Sequence, residues 1–146
     1  MHKGNIKDTG TEIFEWGQIR WHLSEAEVSL AAGQMAVLPN QVDDLHCHPD
    51  ALELAYVISG EGQQVIGDAA PFAIGPGDMF CVPRGVSHCT RNTGIGKLEI
   101  LVVHSPGGAH QRVRARAAAG SSAATADQHK VWADAAKEEV SHWSTW

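Results

Sequence analysis

Residues 46–53 read His-Cys-His-Pro-Asp-Ala-Leu-Glu, and the interpretation of the whole chain starts from this stretch. In an extended segment, residues two apart project from the same face, so His46 and His48 can both point toward one spot. The Pro-Asp pair that follows indicates a bend before the next extended segment. Glu53 therefore stands where a second strand begins, close in sequence to both imidazoles.

A third histidine completes a set of four candidate donors. His88 stands at the start of a predicted strand, after the turn-forming sequence Pro-Arg-Gly at residues 83–85. Three neutral imidazoles and one carboxylate suit a divalent transition metal such as Fe, Mn, Ni, Cu or Zn. A structural zinc site fits less well, because such sites favour cysteine and a closed tetrahedral shell. The predicted ligands of a single, open metal site are His46, His48, Glu53 and His88; the alternative is four polar residues that line an empty barrel.

These two stretches resemble the two sequence motifs of the cupin superfamily. From His46 to Gly60 the sequence matches the H-x-H-x4-E-x6-G part of the first motif, but Asn40 replaces its leading glycine. Asparagine also tolerates a left-handed backbone, so the turn survives this departure. From Gly77 to Asn92 the sequence matches every fixed position of the second motif, G-x5-P-x-G-x2-H-x3-N. The resemblance implies a small jelly roll, or double-stranded β-helix, with the metal inside its wider mouth.

The rest of the chain is consistent with an all-β fold, because short β-prone segments alternate with Gly and Pro turns. Strands are predicted at Leu52–Ile58, at Gln63–Ile66 and in the segment that carries His46 and His48. Leu98–His104 is apolar almost throughout, which is typical of a central strand.

Composition divides the chain into three parts. Residues 1–11 form a polar leader, residues 12–106 carry the strands and both motifs, and residues 107–146 begin with a stretch rich in Gly, Ala and Ser. Four apolar residues in the last part recur at spacings of four, four and three: Trp132, Ala136, Val140 and Trp143. That spacing predicts a C-terminal helix packed on the barrel or on a partner subunit, with a mobile tail as the alternative.

Residues that share a face with the donors are candidates for a substrate pocket. Ala55 and Val57 lie two and four residues after Glu53, and are predicted to face the interior. By the same alternation, Thr90 and Asn92 share the inward face of the third histidine. Barrel packing and turn formation are the alternative roles of these last two.

Other polar residues near the donors have simpler interpretations. Cys47 and Cys89 adjoin predicted ligands but point to the opposite face, and we expect them to be small buried apolar residues. His22 and His104 stand on flanking strands, where either can reach the pocket. A lone histidine is nevertheless more often structural.

Length and charge exclude several classes of protein. The 146 residues suffice for one domain with a core, and no apolar run approaches the length of a membrane span. The net charge of −6 argues against a nucleic-acid partner, which requires an excess of Lys and Arg. The N-terminus has no apolar signal-peptide core, and three cysteines form no disulfide framework, so we expect a cytoplasmic protein with reduced thiols.

The resemblance implies a set of reactions, since cupins of this size include dioxygenases, isomerases and lyases of small organic molecules. We expect a dioxygenase, because the ligand set leaves two adjacent positions for O2 and substrate. The alternatives are an isomerase or lyase that uses Mn, Ni or Zn, and a non-catalytic protein that binds or senses a small ligand. A site charge of about +1 favours an anionic ligand. A homodimer is also expected, with the outer face around Leu54, Tyr56 and Ile58 as the contact.

Overall fold

A computed structural model describes residues 3–5, 10–23, 29–108 and 111. The predicted C-terminal helix and most of the polar leader lie outside these residues. The described part forms nine strands: β1 (Thr11–Phe14), β2 (Gly17–Leu23), β3 (Ala31–Val37), β4 (Leu52–Ser59), β5 (Gly62–Ile66), β6 (Phe72–Ile74), β7 (Met79–Val82), β8 (His88–Asn92) and β9 (Leu98–Ser105). Within the same residues, no helix has both the length and the apolar character needed to cross a bilayer.

The strands form two antiparallel sheets, as the jelly-roll prediction requires. Six strands make the larger sheet, in the order β1-β2-β3-β9-β4-β7, and three make the smaller one, in the order β6-β5-β8. β9 pairs with β3 on one side and with β4 on the other, which confirms the predicted central position of this apolar strand. The all-β, double-sheet architecture predicted from the sequence is therefore confirmed.

The inner face of the larger sheet follows the alternation expected for a strand with one buried side. In β4, Glu53, Ala55 and Val57 are buried, whereas Tyr56 and Ile58 are exposed. In β9 the buried positions are Leu98, Ile100, Val102 and His104. One end of this apolar face thus carries a glutamate and a histidine, and the predicted ligand Glu53 lies at this end of the barrel.

A glycine allows one large side chain to lie across the sheet close to that end. Gly33 of β3 pairs with Trp21 of β2, and a Cβ atom on Gly33 would stand 2.9 Å from the Trp21 ring. Real Cβ atoms do not approach other atoms so closely, so any larger residue would displace the indole. Trp21 is 1% exposed, and its ring lies 5.5 Å from the ring of His104.

The segment that carries the first two histidines is not a regular strand, and that prediction is wrong. It forms only isolated bridges to β8, at Val42 with Arg91 and at His46 with His88. Between these bridges, the Asp43 side chain accepts the Thr90 N–H at 2.6 Å, a position where a strand would offer a backbone carbonyl. The Asp43 carboxylate thus takes a backbone hydrogen bond that would otherwise belong to a β-ladder, as aspartate side chains commonly do.

The segment begins with the one departure from the first motif. Asn40 has a φ of 60°, so its backbone adopts the left-handed conformation that asparagine tolerates. The predicted turn at this position is present although the glycine is not.

Candidate metal centre

Three separate parts of the fold bring the four predicted donors together. His46 and His48 come from the irregular segment, Glu53 from the start of β4, and His88 from the start of β8. One ligand atom from each residue lies within 4.8 Å of the ligand atoms of the other three. Paired backbone hydrogen bonds between His46 and His88, at 3.1 and 2.8 Å, tie the irregular segment to the smaller sheet.

Backbone carbonyls orient two of the imidazoles. His46 Nδ1 lies 2.6 Å from the Asp44 carbonyl oxygen, and His88 Nδ1 lies 3.0 Å from the Val86 carbonyl oxygen. Since a carbonyl only accepts, each Nδ1 carries the proton and donates it, and each Nε2 keeps a lone pair. Hydrogen bonds of this kind are the usual way in which proteins fix a metal-binding histidine tautomer.

The carboxylate of Glu53 lies at the centre of the histidines. Its Oε2 atom is 2.8 Å from His104 Nε2, 3.0 Å from His48 Nε2 and 3.7 Å from His88 Nε2. Burial alone raises the pKa of Glu53. Hydrogen bonds from His104 and His48, together with the nearby imidazole of His88, outweigh burial, so the pKa of Glu53 lies well below the ordinary glutamate value. Glu53 is therefore an ionised carboxylate at neutral pH.

The pKa values of His48 and His88 are shifted in opposite directions. Burial lowers the pKa of His48 below the ordinary histidine value, although the Glu53 carboxylate acts against it. Burial also lowers the pKa of His88, but Glu53, the Val86 carbonyl and Asp43 together outweigh it, and the net pKa is raised. Of these two residues, His88 thus holds its proton to the higher pH in the metal-free chain.

The donors fit a divalent transition metal. His88 Nε2 is buried and has no hydrogen-bond partner among the described residues, a costly arrangement unless an electrophile accepts its lone pair. Donors bound at roughly 2.1 Å to one ion stand roughly 3–4 Å apart, so the observed spread requires only a small contraction. The set of three nitrogens and one oxygen is also chemically suitable for such an ion.

The cluster forms one side of a small cavity that is partly open to solvent. Its lining is Ile19, Met35, Asp43, His46, His48, Glu53, Val102 and His104. Three apolar side chains face the polar cluster, and no Lys or Arg is among the lining residues in the described part of the chain. The cavity suits a small molecule with one polar end.

The four predicted pocket residues do not belong to this lining. Ala55 and Val57 are buried in the hydrophobic core. Thr90 donates its hydroxyl to Gln64 at 2.6 Å. Asn92 donates its amide to the carbonyls of Val37 and Gly96, at 2.9 and 2.7 Å. Thr90 and Asn92 thus form hydrogen bonds between neighbouring segments of the fold.

Two cavity residues were not assigned to the site from the sequence. The sequence favours a structural role for His104, but this residue is 2% exposed and contacts Glu53 directly. His104 pairs with Glu53 in the β4–β9 ladder. This pairing would identify it as a site residue, but only once the strand register is known. Asp43 carries no sequence signal, because alternation from His46 and His48 points to its neighbour Asp44 instead.

Of His22, Cys89 and Cys47, only the last departs from its predicted environment. His22 is half-buried on β2 and does not line the cavity. Cys89 is buried as predicted, and burial raises the pKa of its thiol to about 12. Cys47 was expected to be buried and is exposed, because it lies in the irregular segment and not in a strand packed on both faces.

Comparisons with known proteins agree with this geometry. The family model described as "Cupin domain" matches residues 33–104. Germin-like protein 3-8 of Oryza sativa subsp. japonica is 32% identical over 71 residues, which are 46% of this chain and 32% of that protein. Germin-like protein subfamily T member 3 of Arabidopsis thaliana is 33% identical over 75 residues, or 47% of this chain and 32% of that protein.

Solved structures give the same result. A structure from a study of the Mn(II) centres of Bacillus subtilis oxalate decarboxylase matches with a TM-score of 0.65 and 28% identity, over 74% of this chain and 30% of that one. A second oxalate decarboxylase structure has a TM-score of 0.66 and 26% identity, over 73% and 30%. The chain thus spans about a third of the length of these proteins. Residues 33–104 form a cupin domain, and the chain belongs to the cupin superfamily.

Proposed function

We propose that His46, His48, Glu53 and His88 bind one divalent transition metal, and that the protein acts on a small anionic organic molecule at this ion. The observation that carries the proposal is the convergence of the buried, unpartnered Nε2 of His88 with an ionised glutamate and two further imidazoles. In His46 and His88, hydrogen bonds to backbone carbonyls fix the proton on Nδ1 and leave the Nε2 lone pair available to the ion. The donors are thereby organised for an ion before it binds.

The cavity favours an anion with an apolar body. With a divalent ion, three neutral histidines and Glu53 leave the ligand set at about +1. The Asp43 carboxylate on the cavity wall reduces this excess, so the positive charge is confined to the ion and its open positions. Because no Lys or Arg lines the described cavity, the ion itself is the cationic group available to a carboxylate or enolate. Ile19, Met35 and Val102 form an apolar wall that can pack against the rest of the molecule. A small monocarboxylate or diketone, with one polar end for the ion and an apolar remainder for the wall, fits this cavity better than a dianion does.

For the reaction we favour a dioxygenase, with an isomerase or lyase as the second candidate. A bound metal supplies Lewis acidity, a polarised water, or a template that holds two reactants on adjacent open positions. Four protein donors leave room for O2 beside the organic molecule, which supports dioxygenation. The similarity to the Mn(II)-containing oxalate decarboxylase of Bacillus subtilis supports the lyase alternative. In either case this chain's residues orient the substrate, and its apolar wall limits water around it.

Two further expectations belong to the same proposal. We propose a homodimer formed through the exposed outer face of β4 and its neighbours, where Tyr56 and Met79 are 39% and 62% exposed. We also propose that the protein works in the cytoplasm, since the three cysteines are free thiols.

Turnover is the test that separates an enzyme from a binding protein. Protein loaded with Fe(II), Mn(II), Ni(II) or Zn(II) is incubated with small carboxylates and diketones, while O2 uptake and product mass are followed. A dioxygenase consumes O2 and adds its atoms to the product, whereas a lyase or isomerase changes the product without net O2 uptake. His88→Ala should abolish turnover, and His22→Ala, which alters a histidine outside the cavity, should not. Ligand binding without product in every metal form would contradict an enzymatic function.

A further inference from the structure

His104 is buried beside the proposed metal ligands but is not one of the four converging donors. It lies on β9, directly opposite Glu53 in the ladder with β4. Its Nε2 is 2.8 Å from Glu53 Oε2, the shortest of the three distances from this oxygen to an imidazole. The register of the two strands therefore places these two side chains beside each other on the shared inner face.

Metal binding changes which histidines can contact Glu53. An imidazole nitrogen that gives its lone pair to an ion carries no proton and cannot donate a hydrogen bond. His48 and His88 both offer Nε2 to the ion, so with the ion bound neither can donate to Glu53 from that atom: His48 loses its hydrogen bond to Oε2, and His88, 3.7 Å away, gains none. Among the three histidines around Oε2, His104 alone keeps an Nε2–H for the carboxylate.

We propose that His104 is a positioning residue, which holds the Glu53 carboxylate in the orientation that the metal requires through an Nε2–H···Oε2 hydrogen bond. This inference rests on the proposed metal site. One carboxylate oxygen is committed to His104, so rotation of the carboxylate and capture of the ion by both oxygens are disfavoured. An open position at the ion is thereby kept for a substrate.

The surroundings of His104 explain why this position is a histidine. Its ring packs between Trp21, at 5.5 Å, and the ring of His48, at 4.4 Å. With the proton on Nε2, Nδ1 is a buried acceptor without a hydrogen bond in the described structure. An apolar side chain would fill the same space without that cost, so packing alone does not account for the residue. A donor aimed at Glu53 does.

Gln and Met at position 104 form a matched pair, since both are unbranched and of similar volume but only Gln has an N–H donor. Mn(II) affinity is measured by competition with a chelator for the full-length wild type, H104Q and H104M, after circular dichroism has shown that each is folded. Loss of a residue that orients a metal ligand typically weakens affinity about 10–100-fold. We expect that loss in H104M and most of the affinity restored in H104Q. His104→Leu replaces H104M if the latter does not fold, and His22→Leu is the control for loss of a histidine outside the cavity.

Two results would overturn the inference: affinity within about threefold of wild type in H104M, or equal losses in H104M and H104Q. Pulsed EPR of bound Mn(II) should count the same number of coordinated imidazoles in H104Q as in wild type. One imidazole fewer would make His104 a ligand instead of a positioning residue. Failure of the wild type itself to bind Mn(II) or any other divalent metal would contradict the proposed site, and is thus distinguishable from failure of the His104 inference.

Discussion

Replacement of Asn92 by Ala tests whether this residue serves the fold or the pocket. The sequence pattern predicted a pocket residue, but the side chain is fully buried and makes three hydrogen bonds: to the Val37 carbonyl, to the Gly96 carbonyl and from the Gly94 N–H. It therefore links the end of β8 to the end of β3 and to the loop before β9. At about 0.5–1.5 kcal/mol for each of the three hydrogen bonds, we expect a loss of about 1.5–4.5 kcal/mol in the free energy of unfolding.

The assay is urea unfolding of the chelator-treated protein, followed by tryptophan fluorescence. We expect a lower midpoint with an unchanged m-value, which identifies a change in stability and not in the exposed surface. Thr93→Ala, at the exposed next residue, is the matched control and should change stability by less than about 0.5 kcal/mol. Once N92A is folded, its Mn(II) affinity should equal that of wild type. The reasoning is refuted if N92A costs less than about 1 kcal/mol, or if metal binding weakens while stability does not change.

Three further predictions follow from the same contacts. Because the pKa of His88 is raised, protons compete with Mn(II) already at pH values above the ordinary histidine pKa of about 6.5, and Mn(II) affinity should fall as pH drops from there. The chelator-induced drop in Tm should therefore be large at about pH 8 and small near about pH 5; an equal drop at both ends would remove the histidines from the ligand set. In the metal-free chain, the depressed pKa of Glu53 means that its contribution to stability is present above about pH 4.3 and is lost as pH falls through the lower folded value, which acid unfolding monitored by circular dichroism can show. Light scattering at tens of micromolar should give the mass of a dimer that Tyr56→Glu converts to monomer; a monomeric wild type would contradict the proposed contact.

The alternation of side chains in β4 could be predicted from the sequence because it depends only on the local period of a strand. Glu53 faces the interior and Tyr56 faces outward, as the pattern indicates. The convergence of the distant His88 with the other donors was predictable only because the spacing matches a known pair of motifs. The left-handed turn at Asn40 followed from the residue type itself.

The parts that could not be predicted depend on contacts between distant segments. The role of His104 requires the register of β9 against β4, since one residue of slippage would turn the ring to the outer face. The irregular path of the first two histidines depends on Asp43, whose side chain replaces a strand carbonyl opposite Thr90. Asn92 shares the inward face of its strand but uses its polar atoms on backbone groups, a choice that alternation cannot reveal.

The central claim is that four residues hold one divalent metal, and the most direct measurement is metal stoichiometry. Purified protein is dialysed against Mn(II), passed through a desalting column and analysed for its metal and protein content. We expect about one ion per chain in the wild type and in His22→Ala, and close to none in His48→Ala and His88→Ala. Full retention of the ion in either of the last two variants, or its absence from the wild type with every divalent metal tried, would contradict the proposed site.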